Sequence, residues 1–140
     1  DWNRIYGPAG FLQYQFAVPN EAAHLVPRTL EALRQVGAPS FLTVLKRFGP
    51  GNQSPLSFPI QGWTLAADVS ASVTGLLDVL NQLDCEVALA GGRLYLAKDS
   101  RQSQKIFKST YCESLDFAEI RILSNKNRIF HSELAARIEL

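Results

Sequence analysis

The chain has 140 residues, of which 46% are hydrophobic and 19% are charged, and its formal net charge is +1. This composition is typical of one globular domain, and the near-neutral charge gives no indication of a nucleic-acid partner. No apolar run approaches the roughly 20 residues that a membrane-spanning helix needs, so no span is expected. The chain begins at Asp1 and contains no methionine, which we interpret as the sign of a processed product or of a fragment.

A first strand is predicted over residues 11–18, because apolar and polar side chains alternate there. One face of this strand is fully apolar, whereas the other carries Gln13 and Gln15. Pro19 ends the strand, and the spacing of apolar residues that follows predicts a helix over residues 20–36.

The next predicted elements are two strands, a helix and a last strand. A second strand is predicted over residues 40–48, followed by a long connection over residues 49–62 that is rich in proline and glycine. A third strand over residues 63–69, a helix over residues 73–87 and a fourth strand over residues 93–97 come next. The order β-α-β-β-α-β predicts an α+β fold of the ferredoxin-like type, with a four-stranded antiparallel sheet and both helices on one face.

Three short helical pieces follow, over residues 102–110, 115–123 and 132–138. Such short helices cannot form a core of their own, so they are expected to pack on the sheet or on a part of a longer protein. We therefore expect a sheet domain over residues 1–101 and a C-terminal helical segment over residues 102–140.

The sheet face without helices is the expected place for function, because polar side chains from all four strands can meet there. The candidates are Gln13, Gln15, Lys46, Thr64, Ala66 and Lys98. A face washed by solvent explains the glutamines about as well as a ligand does, and Lys98 taken alone is a charged cap at a strand end. Asp78 and Asp84, on the second helix, are interpreted as ordinary acids facing solvent.

Sequence motifs for hydrolysis, phosphate binding, metal binding or dinucleotide binding are not found. The chain lacks a nucleophile elbow, a phosphate loop, a zinc-binding spacing and a dinucleotide fingerprint. Cys85 and Cys112 lie far apart, so we expect two reduced, half-buried thiols and no metal site.

Three stretches together resemble one family. They are FLQYQF from Phe11, FLTVLKRFGP from Phe41 with the later LSFP and GW, and GGRLYLAKDSR from Gly91. The chain resembles the FAD-linked oxidases of the vanillyl-alcohol-oxidase type, and within that family the decaprenylphosphoryl-ribose oxidase branch. The resemblance runs over essentially the whole chain, from about Gly10 to Leu140.

The resemblance implies the C-terminal, substrate-side portion of an enzyme that oxidises a secondary alcohol of a sugar or sugar-lipid. FAD would be held mainly by an N-terminal domain that acts as partner to this chain. The family lysine required for turnover corresponds to Lys98, and residues of the flavin pocket correspond to Gln13, Gln15 and Lys46. The substrate pocket would be lined by Lys46, Thr64, Ala66 and, as a weaker candidate, Tyr95.

The chain departs from the best-known branch on the third strand. Thr64 and Ala66 stand where that branch has asparagine and cysteine, and the cysteine is the covalent target of nitroaromatic inhibitors. Because Ala66 has no thiol, trapping of that kind is not expected here. The alternative function is a stand-alone ferredoxin-like module that binds a ligand or partner without catalysis, and a dimerisation domain is a further alternative.

Overall fold

Four antiparallel strands build the sheet in this computed structural model, which describes residue 4 and residues 7–127 and 129–140. The strands are β1 (Phe11–Pro19), β2 (Leu42–Phe48), β3 (Gly62–Ser70) and β4 (Arg93–Leu94). Their order across the sheet is β2-β3-β1-β4. With α1 (Leu25–Gln35) between β1 and β2, and α2 (Leu76–Leu89) between β3 and β4, the predicted ferredoxin-like α+β fold is confirmed.

The core lies between the sheet and the two helices. Phe16 and Val18 of β1 are fully buried, as are Leu80 of α2 and Ala67 of β3. The apolar face predicted for β1 is the face that meets the helices, because successive side chains of a strand point to opposite sides. Each large side chain buried in this way contributes about 1.5–3 kcal/mol to folding.

The first helix begins later than its sequence pattern predicts. A 3-10 turn spans Asn20–Ala22, and α1 starts at Leu25. Pro27 is the third residue of α1, where its missing N–H has no partner to lose. Gly37 follows the helix with a φ of +79°, as expected for a glycine at a helix C-terminus.

The fourth strand is much shorter than predicted. β4 ends at Leu94, and a 3-10 turn spans Leu96–Lys98. The backbone N–H of Tyr95 still donates to Gln15 O of β1 at 2.9 Å, but the N–H of Lys98 turns back to Tyr95 O at 3.1 Å. Lys98 therefore lies in a turn after the strand and not at the strand end itself.

The two glycines before β4 have different tasks. Gly91 has a φ of +72° and open space around its Cα, so it makes the turn that L-residues adopt at a cost. At Gly92 an added Cβ would lie 2.5 Å from Ala17 O of β1 and 2.9 Å from Val87 Cγ1 of α2. Gly92 thus permits the close approach of β4 to β1 and α2.

Three helices follow the sheet: α3 (Gln104–Thr110), α4 (Ser114–Ser124) and α5 (Glu133–Arg137). Helices α3 and α5 share a second buried cluster of Phe107, Tyr111 and Ile138. The Tyr111 hydroxyl donates to Leu94 O of β4 at 2.6 Å, so this cluster is joined to the sheet. In contrast, α4 leaves four large apolar side chains exposed, which are Leu115, Ile120, Ile122 and Leu123.

Both cysteines are free and exposed. The expected free thiols are confirmed, whereas the expected half-burial is wrong. Of the helices that the structure describes, none has the length and apolar character needed to cross a membrane.

Candidate functional site

A cleft of about 160 Å³ lies on the sheet face that the helices leave uncovered. Strands β1, β2 and β3 form its floor and one side, and the turn after β4 closes the other side. Its lining residues are Gln13, Gln15, Leu42, Val44, Lys46, Thr64, Ala66, Asp68 and Lys98. The cleft thus brings together six of the seven site residues predicted from the sequence.

Strand register explains why these residues meet. Gln15 of β1 lies opposite Ala66 of β3, and Ala66 lies opposite Val44 of β2. Lys46 lies opposite Thr64 in the same pairing of β2 with β3. Residues that pair directly across antiparallel strands share a face, so alternate residues of three strands line one floor.

Two hydrogen bonds fix the glutamine side chains of this floor. Gln13 Nε2 donates to Asp68 Oδ1 at 2.7 Å, and Gln15 Nε2 donates to Thr64 Oγ1 at 3.1 Å. Because the amide nitrogen of Gln15 is engaged by Thr64, its orientation is set. Its Oε1 is buried and has no hydrogen-bond partner among the described residues, which leaves an acceptor for a ligand donor.

The cleft carries two ammonium groups and one carboxylate. Lys98 is half-buried at the closing turn, and Lys46 is exposed on edge strand β2. Asp68 is 5% exposed and accepts from Gln13. In the part of the chain that the structure describes, the Lys98 side chain has no ion pair or hydrogen bond. This excess of positive charge favours an anionic group or one that becomes anionic.

Tyr95 is the predicted site residue that does not line the cleft. Its ring stacks on Phe58 with centroids 4.5 Å apart, and Phe58 in turn forms a T-shaped pair with Phe48, with centroids 5.7 Å apart. The stack orders part of the long connection between β2 and β3 and holds that connection beside the site.

Asp68, Leu42 and Val44 line the cleft although the sequence patterns do not single them out as site residues. The signal for Asp68 is the same alternation that places Thr64 and Ala66 on one face, carried two residues further along β3. Leu42 and Val44 share their face with Lys46, but apolar side chains carry no chemical signal of their own.

The interpretation of Asp84 as a solvent-facing acid is wrong. Its side chain is 2% exposed and accepts two hydrogen bonds from Arg101, at 2.7 and 2.6 Å. Burial raises the pKa of the Asp84 carboxyl, and the Arg101 guanidinium offsets this only in part. Arg101 also lies over the Tyr14 ring at 5.4 Å. Asp78 is exposed as expected.

Among the described residues, no group of three or more histidine, cysteine, aspartate or glutamate side chains is placed to hold a metal ion. The chemistry available in the cleft is that of amides, ammonium groups, a hydroxyl and a carboxylate.

Fold and cleft together define a ferredoxin-like α+β domain whose open sheet face carries a polar, lysine-bearing site. No family model matches the chain. It is 44% identical over 140 residues to decaprenylphosphoryl-beta-D-ribose oxidase of Mycolicibacterium smegmatis, covering 100% of this chain and 30% of that oxidase. The chain therefore matches a portion of this oxidase, and the resemblance expected from the three motifs is confirmed.

A second relative is the uncharacterized protein in the mprA 5' region of Streptomyces coelicolor. It is 37% identical over 131 residues, which are 94% of this chain and 36% of the relative. The chain thus spans about a third of the length of the curated relatives it matches.

Proposed function

We propose that this chain is the C-terminal, substrate-side portion of an FAD-dependent oxidoreductase that oxidises a secondary alcohol of a sugar or sugar-lipid. The observation that carries this function is the cleft, which gathers Gln13, Gln15, Lys46 and Lys98 on an uncovered sheet face. Support comes from the match of the whole chain to a portion of an oxidase that is named for a ribose-lipid.

The cleft residues fit the edge of a flavin ring. A flavin ring presents both donors and acceptors along one edge, and the buried, unpartnered Gln15 Oε1 offers an acceptor that is already oriented by Thr64. Ala66 and Val44 give the floor an apolar surface against which a flat ring can lie. When bound, FAD supplies the hydride acceptor for alcohol oxidation. Gln13, Gln15 and Lys46 are the residues we assign to holding it.

We assign Lys98 to the reacting centre. As an ammonium, it would stabilise negative charge that develops in the cleft during oxidation, which is a strong effect once water is excluded. As a free amine, it would accept the proton that the substrate hydroxyl releases. Both roles are supported by the position of Lys98 at the cleft, where its side chain forms no ion pair or hydrogen bond among the described residues.

The substrate is assigned to the part of the cleft where Thr64 and Ala66 of β3 meet edge strand β2. Both side chains are small and buried in the floor, and Lys46, which lies opposite Thr64, offers an exposed ammonium. An exposed ammonium suits an anionic group such as a phosphoryl diester, and the M. smegmatis relative is named for a phosphoryl-linked ribose. Tyr95 and its stack on Phe58 would border this region from outside the cleft.

Helix α4 supports the part of the proposed function that involves a further domain. Its exposed side chains include Leu115 at 72% and Ile122 at 70%, and large apolar patches on a protein surface commonly mark an interface. We assign α4 and the rest of the helical segment over residues 102–140 to contact with an N-terminal FAD-binding domain, and residues 1–101 to the substrate side.

Complementation of the two parts tests this function. The purified 140-residue chain is expected to be colourless. Mixed with the N-terminal part of the same protein, it should bind FAD, turn yellow and be reduced anaerobically by decaprenylphosphoryl-β-D-ribose. A pair that binds FAD but is reduced by no sugar or sugar-lipid would contradict the oxidase. If the 140-residue chain binds decaprenylphosphoryl-β-D-ribose equally tightly with and without the N-terminal part, the stand-alone binding module would be favoured.

A further inference from the structure

The charged tip of residues 98–101 separates its side chains between two environments. Lys98 lines the cleft. In contrast, Asp99 and Arg101 turn into the body of the domain, where their side chains are 7% and 14% exposed. The residues on the C-terminal side of Lys98 are therefore anchors of the turn that presents it.

The first anchor joins the tip to α2. Arg101 forms a two-point hydrogen-bonded pair with Asp84, and Arg101 Nη1 also donates to Asn81 Oδ1 at 3.0 Å. The planar guanidinium fork makes such pairs geometrically specific. This pair lies under the sheet, on the side opposite to the cleft, and it fixes the end of the tip.

The second anchor joins the tip to the last helix of the chain. Asp99 Oδ2 accepts from Arg137 Nη1 of α5 at 2.9 Å, and Arg137 Nη1 also donates to Gln102 O at 2.6 Å. The other carboxylate oxygen, Asp99 Oδ1, accepts from the backbone N–H groups of Arg101 and Gln102 at 3.1 and 2.8 Å. One carboxylate thus connects the turn, the start of the next segment and α5.

We propose that Arg137 is a positioning residue for Lys98, acting through Asp99 to hold the turn so that the ammonium stays in the cleft. The role assigned to Arg137 rests on the function proposed for Lys98. Because the Lys98 side chain has no bond of its own among the described residues, its place depends on the backbone that carries it. A lysine side chain is long and flexible, and a misplacement of about 1 Å at a reacting centre can cost about 100-fold in rate.

The test uses the full-length, FAD-containing protein that carries this chain, reduced anaerobically by decaprenylphosphoryl-β-D-ribose in a stopped-flow instrument. Arg137→Gln is expected to slow flavin reduction by about 10- to 100-fold. Substrate affinity should change by less than about threefold, because Arg137 lines no part of the cleft. Arg137→Lys should recover part of the rate. Arg34→Gln is the matched control, since Arg34 forms an exposed pair with Glu31 far along the sequence.

A double-mutant cycle separates positioning from general stability. If Arg137 acts through Lys98, then Lys98→Ala with Arg137→Gln should reduce flavin no more slowly than Lys98→Ala alone. Additive losses would overturn the positioning role, as would a wild-type rate in Arg137→Gln when Lys98→Ala itself is strongly slowed. A normal rate in Lys98→Ala itself would instead overturn the proposed function. If Arg137→Gln does not yield FAD-containing protein, Arg137→Lys takes its place in the cycle, where a smaller slowing is expected and additive losses overturn the positioning role in the same way.

Discussion

The close approach at Gly92 allows a prediction with a built-in control. In the 140-residue chain, Gly92→Ala places a methyl group 2.5 Å from Ala17 O and 2.9 Å from Val18 Cγ1 and Val87 Cγ1. Contacts this short cannot exist, so β4 must move away from β1. Overpacking of this kind costs about 1–3 kcal/mol, and contact with rigid backbone favours the upper half of that range.

Gly91→Ala is the control, because it adds the same methyl group where nothing lies within 4 Å. Its cost comes only from the φ of +72°, which alanine adopts less readily than glycine. Alanine also lowers the entropy of the unfolded chain, which offsets part of this cost and leaves a net loss of about 1 kcal/mol. For a domain of this size, about 1 kcal/mol shifts Tm by roughly 3–5 °C. Thermal unfolding followed by circular dichroism should therefore show a loss of about 6–15 °C for Gly92→Ala and about 3–5 °C for Gly91→Ala. Equal losses, or a larger loss at Gly91, would refute the close packing of β4.

Two other buried groups give predictions that urea unfolding can check. Tyr111→Phe removes the donor to Leu94 O and should cost about 1–3 kcal/mol, because a buried carbonyl loses its partner; an unchanged unfolding free energy would contradict the bond between α3 and β4. At Asp84, burial raises the pKa above its usual value of 3.8, so the folded state binds the proton more tightly than the unfolded chain. The stability that Asp84 contributes is then present below about pH 4 and lost as pH rises through the folded pKa. The unfolding free energy of Asp84→Asn relative to wild type should accordingly rise as the pH increases above about 4. A relative fall would show that the pKa of this carboxyl is lowered.

Local patterns are sufficient to predict the faces of the first strand. Apolar and polar side chains alternate in β1, so the sequence alone assigns Gln13 and Gln15 to the polar face. In β2 both faces mix apolar and polar side chains, so period two shows which residues accompany Lys46 but not which face is open. The order of elements then brings these strands together, because a β-α-β-β-α-β chain has few ways to cover one side of a sheet.

Features that depend on distant residues do not follow from such local patterns. Asp84 resembles any acid on an amphipathic helix, and its burial is explained only by Arg101, which lies 17 residues away. The predicted fourth strand is too long because the apolar run from Leu94 to Ala97 fits a strand and a 3-10 turn equally well. The turn is favoured by Tyr95 and Leu96, whose carbonyls accept from Lys98 and Asp99.

The reactivity of the cleft depends most directly on Lys98, and anaerobic reduction of the full-length protein by decaprenylphosphoryl-β-D-ribose tests it. Lys98→Ala should keep its FAD, shown by an unchanged flavin absorbance per protein, while reduction of that flavin by substrate is slowed by about 100- to 10,000-fold. Arg34→Ala, which removes an exposed cation of α1 outside the cleft, should be reduced at the wild-type rate. Normal flavin reduction in Lys98→Ala would contradict the assignment of this lysine to the reacting centre.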